Sequence, residues 1–427
     1  MKRQQLEHVL RAESRRSLSG STVARMRRRG LVAVAVVAAL LGGAAAFSVD
    51  RAPEASADTE SLRTLADRRG IAFGTVVRAS ALADDAACAS RLGGEFSSVT
   101  PEDAMKWAVV EPARGQFEWA GADAIVAAAG RNGQAVRGHT LVWYNSLPGW
   151  LTGGSFSTEE LRSLLREHIQ TMVRRYAGQV AAWDVVNEAL NNDGTLRSDF
   201  WRGRLGSGYI ADAFRWAHEA DPSAALYLNE YGAEYSGAKA TALYDLVRQL
   251  IADGVPVAGV GFQAHLTGSS RPDGFAAMLR RFADLGVDVA VTELDVRVAT
   301  PATAAALASQ ARVYGQVVAA CLTVPRCRSI TVWGFTDRYS WIADNYPGWG
   351  AADLLDADLA AKPACTTVMN TLSASGPAAD APVGRWRLDD PTGATVAADT
   401  SGYGHDASVR STGMGGTGRV PNGTEFV

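Results

Sequence analysis

The chain has 427 residues, 47% hydrophobic, 8% aromatic and 20% charged, a composition that excludes collagen-like, coiled-coil and disordered proteins. Its net charge of −3 hides an asymmetry: residues 1–57 hold ten Lys/Arg against four Asp/Glu, a net +6, which leaves −9 on the remainder. An acidic body without a basic stripe excludes a nucleic-acid partner, whose phosphates need clustered Lys and Arg, and points to a neutral or cationic substrate.

In chain order, Arg25, Arg27, Arg28 and Arg29 precede an apolar run over 31–47, and the small residues Ala55-Ser56-Ala57 follow. That order predicts an export signal over 1–57 and a secreted, extracellular mature protein. The run sits at the short end of what spans ~30 Å of hydrocarbon, so no membrane attachment is expected of the mature form. Arg28-Arg29-Gly30-Leu31-Val32 resembles a twin-arginine signal.

From 58 to 375 short apolar runs alternate with amphipathic ones. Strands are predicted at 71–77, 97–100, 135–143, 182–187, 225–229, 259–265, 288–294 and 329–335. Between them Leu161, Leu164, Leu165, Ile169, Met172, Val173 and Tyr176 share one helical face, as do Leu243, Leu246, Val247, Leu250 and Ile251. Gly254 and Gly286 mark helix stops. Apolar strands alternating with helices imply a parallel sheet covered outside. Eight such units predict an α/β chain closed as a (β/α)8 TIM barrel, with functional residues at strand C-termini. An open doubly wound sheet is the rival, but no G-x-G-x-x-G follows the first strand.

Residues 376–427 hold ten Gly, with Pro377 and Pro382 marking a linker. Gly384-Arg385-Trp386-Arg387-Leu388-Asp389-Asp390 and the Asp399–Asp406 stretch resemble the opening of a laminin-G/concanavalin-type β-sandwich. Such a sandwich needs about 100 residues, so this non-barrel tail is read as a partial one or as a poorly ordered extension.

Of six His, His139 and His265 alone fall at predicted strand ends; His168 and His218 lie in helices, His8 in the leader and His405 in the tail. Trp183-Asp184-Val185-Val186-Asn187-Glu188 ends the fourth strand with an acid, and Val291-Thr292-Glu293-Leu294-Asp295 ends the seventh. A carboxylate in an apolar strand is expensive unless paired or used. The bland reading of either is an ion pair; two at one rim predict a carboxylate pair across a cleft, which is what glycoside hydrolysis needs. Trp107, Trp143, Trp333 and Trp341 near the same rim offer faces for sugar rings, and Glu102, Lys106, Asn187, Asn229 and Gln263 offer planar or charged polar groups for hydroxyls. Trp183, Trp201 and Trp216 read as packing residues.

The four cysteines, Cys88, Cys321, Cys327 and Cys365, include no C-x-x-C and have no His nearby, so no metal site is predicted and no cofactor is needed. Cys321 and Cys327 are close enough for a short-loop disulfide, but four cysteines permit three connectivities.

Met105-Lys106-Trp107, Glu111-Pro112, Gly115-Gln116-Phe117, the Arg137–Trp143 segment, Trp183–Glu188, Gly261–His265, Thr292–Asp295 and Val332-Trp333-Gly334 together resemble glycoside hydrolase family 10. The resemblance covers the barrel but neither leader nor tail. It implies a retaining endo-1,4-β-xylanase, with Glu188 as acid/base and Glu293 as nucleophile. It implies Asn187 on the 2-hydroxyl of the reacting sugar, His265 on the nucleophile, and Glu102, Lys106, His139, Trp143, Trp333 and Trp341 along the glycone side. It supports a Cys321–Cys327 disulfide. A Cys88–Cys365 bridge follows from barrel closure, which makes the first and last helices neighbours. Asp103 stands where the family commonly has Asn, and Tyr144-Asn145-Ser146 where it has His and Gln, which bears on sugar preference rather than chemistry. The expected partner is xylan or a xylo-oligosaccharide, acted on by a monomer. A β-1,4-glucanase or mannanase on the same barrel is the near alternative, and a non-catalytic polysaccharide-binding protein the distant one.

Overall fold

A computed structural model of the protein describes residues 60–374 and a two-stranded antiparallel pair, Val396–Ala397 with Ala407–Ser408. The export signal predicted over 1–57 and nearly all of the 376–427 tail, including its resemblance to a β-sandwich, lie outside the described residues.

Eight parallel strands form the core: β1 Ala72–Val77, β2 Ser98–Pro101, β3 Ala135–Val142, β4 Ala182–Asn187, β5 Ala225–Glu230, β6 Gly259–Phe262, β7 Asp288–Ala299 and β8 Cys327–Val332. Each pairs with the next, and β8 pairs with β1, setting Ala72 opposite Ser329 and Thr75 opposite Val332. The sheet therefore has no open edge along this ring, and the predicted (β/α)8 barrel is the fold. After their first residue, β1, β4 and β5 are buried at every position, because helices cover one face and barrel side chains fill the other. Gly261 is required by a close approach: a Cβ there would lie 2.3 Å from Asn229 Oδ1.

The helices form where the periodicity placed them. Thr158–Arg175 buries Leu161, Leu164, Leu165, Ile169, Met172 and Val173, and opens on a capping box in which Ser157 and Glu160 satisfy each other's backbone N–H groups. Such a cap contributes about 1 kcal/mol. Ala238–Ala252 buries Leu243, Val247 and Leu250. Past the ends of the helices before β6 and β7, Gly254 and Gly286 take φ of +65° and +88°, as their helix-stop role requires. No helix among the described residues is long and apolar enough to cross a membrane.

Three strand boundaries differ from expectation. The eighth strand ends at Val332 rather than 335, short of Gly334 with its φ of +113°. The sixth strand stops at Phe262, not His265, because Ala264 takes a left-handed φ of +60°; His265 then opens a separate short strand, His265–Thr267, alongside β7. The seventh runs on to Ala299, since its far half pairs with that short strand and with Trp349–Gly350. Glu293 consequently lies within a strand rather than at its end.

Cys321, in the last turn of helix Ala304–Leu322, is bonded to Cys327 at the start of β8, with Cα atoms 5.4 Å apart. The expected Cys88–Cys365 bridge is absent: both are free, buried thiols. Helix Leu62–Asp67, ahead of β1, packs against both the Cys88 helix and the Cys365 helix. The thiols also face different surroundings, Cys88 the Asp85 and Arg338 charges, Cys365 those of Glu95 and Arg91 further along the same helix. Burial pushes each thiol up to about 11. Closure brings both helices to the seam, but each packs on helix Leu62–Asp67 and the two thiols do not meet.

Candidate active site

The C-terminal ends of β4, β5 and β6 and the middle of β7 converge on one hydrogen-bonded chain of side chains. Thr292 Oγ1 donates to Asn229 Oδ1 at 2.7 Å, which turns the Asn229 amide nitrogen toward Glu293 Oε1 (2.7 Å) and Asn187 Oδ1 (2.8 Å). Asn187 Oδ1 also lies 3.4 Å from Gln263 Nε2, which donates to Glu188 Oε1 at 3.2 Å. Glu188 and Glu293 are thus linked through Asn187, Asn229 and Gln263. Asn187 Nδ2 is left with one long contact, 3.5 Å to Glu188 Oε1.

The second oxygen of Glu293 meets His265. His265 Nε2 is 3.0 Å from Oε2, and its Nδ1 is 2.9 Å from Asp295 Oδ2. Trp341 Nε1 donates to the same Asp295 oxygen at 2.8 Å. Burial opposes a charge on the imidazole, but Asp295 and then Glu293 outweigh it and raise His265 well above its ordinary 6.5. The shift favours the imidazolium, which donates at both nitrogens. Each Glu293 oxygen accepts a hydrogen bond, and the carboxylate is aimed by both.

Glu188 is held differently. It takes φ of +60°, a strained conformation for a residue with a Cβ. Its N–H donates to Asn229 O at 2.9 Å, and Arg197 Nε donates to its carbonyl at 2.9 Å.

A wall of rings runs beside the pair. Centroids lie 6.3 Å apart from Trp143 to His139, 5.1 Å from His139 to Trp333, 6.1 Å from Trp333 to His265 and 5.0 Å from His265 to Trp341. His139 Nδ1 sits 3.0 Å from Asp184 Oδ2, and Arg137 grips the same buried Asp184. Against this wall Lys106 Nζ stands 5.3 Å over the Trp143 ring and donates to Asp103 Oδ1 at 2.9 Å. Burial alone would raise the Asp103 carboxyl, but Lys106 and Arg78 outweigh it and hold it low. Glu102 accepts two bonds from Arg78, at 2.7 and 2.8 Å. Ser146 lines a small cavity together with Lys106, Trp143, Asn145 and Leu147.

Of the thirteen residues expected at the rim from sequence, all but Trp107 lie on it. Trp107 is buried, its ring stacked between those of His168 (3.7 Å) and Trp201 (5.6 Å) with Nε1 donating to Glu111, and offers no face to a sugar. Trp183 and Trp201 are fully buried, as packing residues. Asp184, Asp295, Arg197, Thr292, Arg137 and Arg78 went unassigned. Asp184 lies four residues before Glu188 and Asp295 two after Glu293, so a second acid within each apolar strand motif was the available signal. Arg197 lies in a polar loop and left none.

A closed parallel barrel with paired carboxylates and an aromatic wall at its C-terminal rim defines a glycoside hydrolase. Residues 61–371 match Glycosyl hydrolase family 10, and the chain belongs to that family. It is 45% identical over 312 residues to Endo-1,4-beta-xylanase A of Phanerodontia chrysosporium, covering 73% of this chain and 76% of that protein. Among solved structures it resembles native xylanase 10B from Thermotoga maritima (TM-score 0.71, 39% identity, 73% of this chain and 98% of that one). It resembles equally xylanase 10B from Thermotoga petrophila RKU-1 in complex with xylobiose (TM-score 0.71, 39% identity, 73% and 97%).

Proposed function

We propose that this protein is a secreted, monomeric, retaining endo-1,4-β-xylanase whose catalytic domain spans 58–375, with 1–57 as its export signal and 376–427 as an accessory tail. The observation that carries the reading is the Glu188–Glu293 pair joined through Asn187, Asn229 and Gln263. The relatives' names, and the xylobiose bound by one of them, support xylan or xylo-oligosaccharides as substrate.

In the first step a Glu293 oxygen attacks the anomeric carbon while Glu188 gives its proton to the departing glycosidic oxygen, leaving a glycosyl ester on Glu293. In the second, Glu188 takes a proton from water, which attacks the same carbon and frees Glu293 with net retention. Asn187 presents Nδ2 to the 2-hydroxyl of the reacting sugar, because its Oδ1 is occupied by Asn229. Glu102, Lys106, His139, Trp143, Trp333 and Trp341 hold the glycone side. Trp341 is fixed by its bond to Asp295 and closes the space beside C5, where glucose and mannose carry a hydroxymethyl group that xylose lacks.

Reducing-sugar release from xylan, cellulose and mannan, measured side by side, tests the assignment. Release from xylan at least tenfold faster than from the others, about 1.4 kcal/mol of discrimination, is expected. Equal or faster release from cellulose or mannan would replace xylan as the substrate.

A further inference from the structure

We propose that Arg197 and Glu230 are positioning residues for Glu188, holding the backbone of residues 188–190 in the left-handed turn that aims its carboxyl into the cleft; this rests on Glu188 being the acid/base. A φ of +60° at a residue with a Cβ persists only where its surroundings hold it. Glycine would relieve the strain, but the position needs its carboxyl.

Past Glu188 N the ladder between β4 and β5 ends, and the next peptide groups find side chains instead. Glu230 Oε2 accepts from Leu190 N at 2.9 Å. The Arg197 guanidinium bridges two carbonyls, Nε to Glu188 O and a terminal nitrogen to Leu190 O, both at 2.9 Å. The Arg197 N–H takes the carbonyl between them, Ala189 O, at 2.7 Å. Three consecutive carbonyls are thus held by one residue.

Both holders are themselves fixed. Arg197 lies 4.2 Å from the Tyr144 ring centroid and 3.2 Å from the Tyr231 hydroxyl. Tyr144, one of the departures from the family pattern, thereby acquires a role, its flat face backing the guanidinium. Glu230 is fully buried, accepts from Tyr231 N at 3.1 Å, and has Lys239 Nζ 2.9 Å from Oε1, an ion-pair contact rather than an aligned hydrogen bond. None of the bonds made by Arg197 and Glu230 reaches the Glu188 carboxyl, which the Tyr144 hydroxyl faces. The holders act on where it points.

A positioning role separates from a general structural one by leaving group. An activated aryl glycoside departs without a proton, whereas a xylose leaving group needs one. For Arg197→Gln, kcat/KM on xylohexaose should fall about 10–100-fold, a share of what a general acid contributes, and on 2,4-dinitrophenyl β-xylobioside less than about threefold. Azide should raise kcat of the variant on the aryl substrate, since it replaces the water that Glu188 no longer activates. Arg197→Lys should show the same split, because one ammonium does not reproduce the planar fork across two carbonyls. It carries the comparison if Arg197→Gln melts below the assay temperature. Equal losses on both substrates, or no loss on either, would overturn the proposal. Glu188→Ala on the same two substrates is the control. Absence of the split there would sink the acid/base reading itself; with the split present, the Arg197 variants decide the proposal.

Discussion

The two carboxyl groups of the cleft are positioned by opposite means. Glu293 sits within β7, where the pairing with β8 shifts register, and its side chain is gripped: Asn229 holds one oxygen at 2.7 Å and His265 the other at 3.0 Å, backed by Asp295 and Trp341. Glu188 sits on strained backbone, its main chain is gripped, and its carboxyl receives long contacts of 3.2 and 3.5 Å and faces the Tyr144 hydroxyl. The difference follows from the work assigned to each. A nucleophile must present one charged oxygen along one line, so fixed donors help it. An acid/base must gain and lose a proton within each turnover, and tight donors to its carboxylate would oppose the protonated half of that cycle.

The largest test of this contrast removes each carboxyl. Glu293→Ala should lower kcat by on the order of 10⁵-fold or more on every substrate, the scale of deleting a nucleophile. Glu188→Ala should lose xylan by about 10²–10⁴-fold yet retain glycosylation by activated aryl xylobiosides, seen as preserved kcat/KM. Loss of aryl cleavage as complete as in Glu293→Ala, in a folded protein, would erase the division of labour.

A smaller effect probes the nucleophile's support. Asp295→Asn removes the charge that stabilises the imidazolium of His265, a charge-assisted bond of about 1.5–3 kcal/mol. The expected result is a roughly 10–100-fold fall in kcat/KM, the same for activated and unactivated substrates, because this side serves both. The pH dependence has a definite sign. His265 is raised above 6.5 in the folded protein, against burial, by Asp295 and Glu293, so its contribution is complete below 6.5 and lost as pH rises through the raised value. In Asp295→Asn that loss should begin at lower pH. An unshifted alkaline limb of kcat/KM would show that His265 is not the group involved.

The smallest effect concerns stability on the other side. Burial pushes Glu230 up to about 7, with Lys239 opposing and Glu188 adding to the rise. Between its ordinary 4.5 and about 7 the folded chain keeps a proton that the unfolded chain releases, so this group makes stability decline as pH rises across that window. Glu230→Gln, which does not titrate, should flatten the Tm-against-pH curve over the same range. Parallel curves would remove Glu230 from the balance.

How much of this was legible in the sequence depended on whether a residue acts along its own strand or across strands. Alternating apolar runs revealed eight strands, and Glu188 and Glu293 stood out as acids in apolar company. The break after Phe262 was hidden because the left-handed residue is Ala264, not glycine. The length of β7 was hidden because Asp295 and Arg297 look like loop residues until Asp295 is seen buried against His265 and Trp341. The bridge expected between Cys88 and Cys365 failed for a related reason: topology brings both helices to the seam, but a third, Leu62–Asp67, packs against each of them. Arg197 and Glu230 act through main-chain atoms of another segment, and no pattern of side chains records that.

The seam of the barrel brings residues from opposite ends of the chain together. β1 lies against β8, helix Leu62–Asp67 packs on helix Pro363–Ser373, and an Arg69 terminal nitrogen donates to Ala374 O at 2.7 Å, 305 positions away. Where the polypeptide starts and stops is therefore arbitrary to the barrel itself. A short peptide joining the two ends, with a new opening cut in a surface loop elsewhere, would give a circular permutant with the same ring. In that rearranged chain the seam becomes a local contact while another pairing becomes remote. Since pairings distant in sequence slow folding, moving the opening would change the order in which the ring assembles without altering the ring.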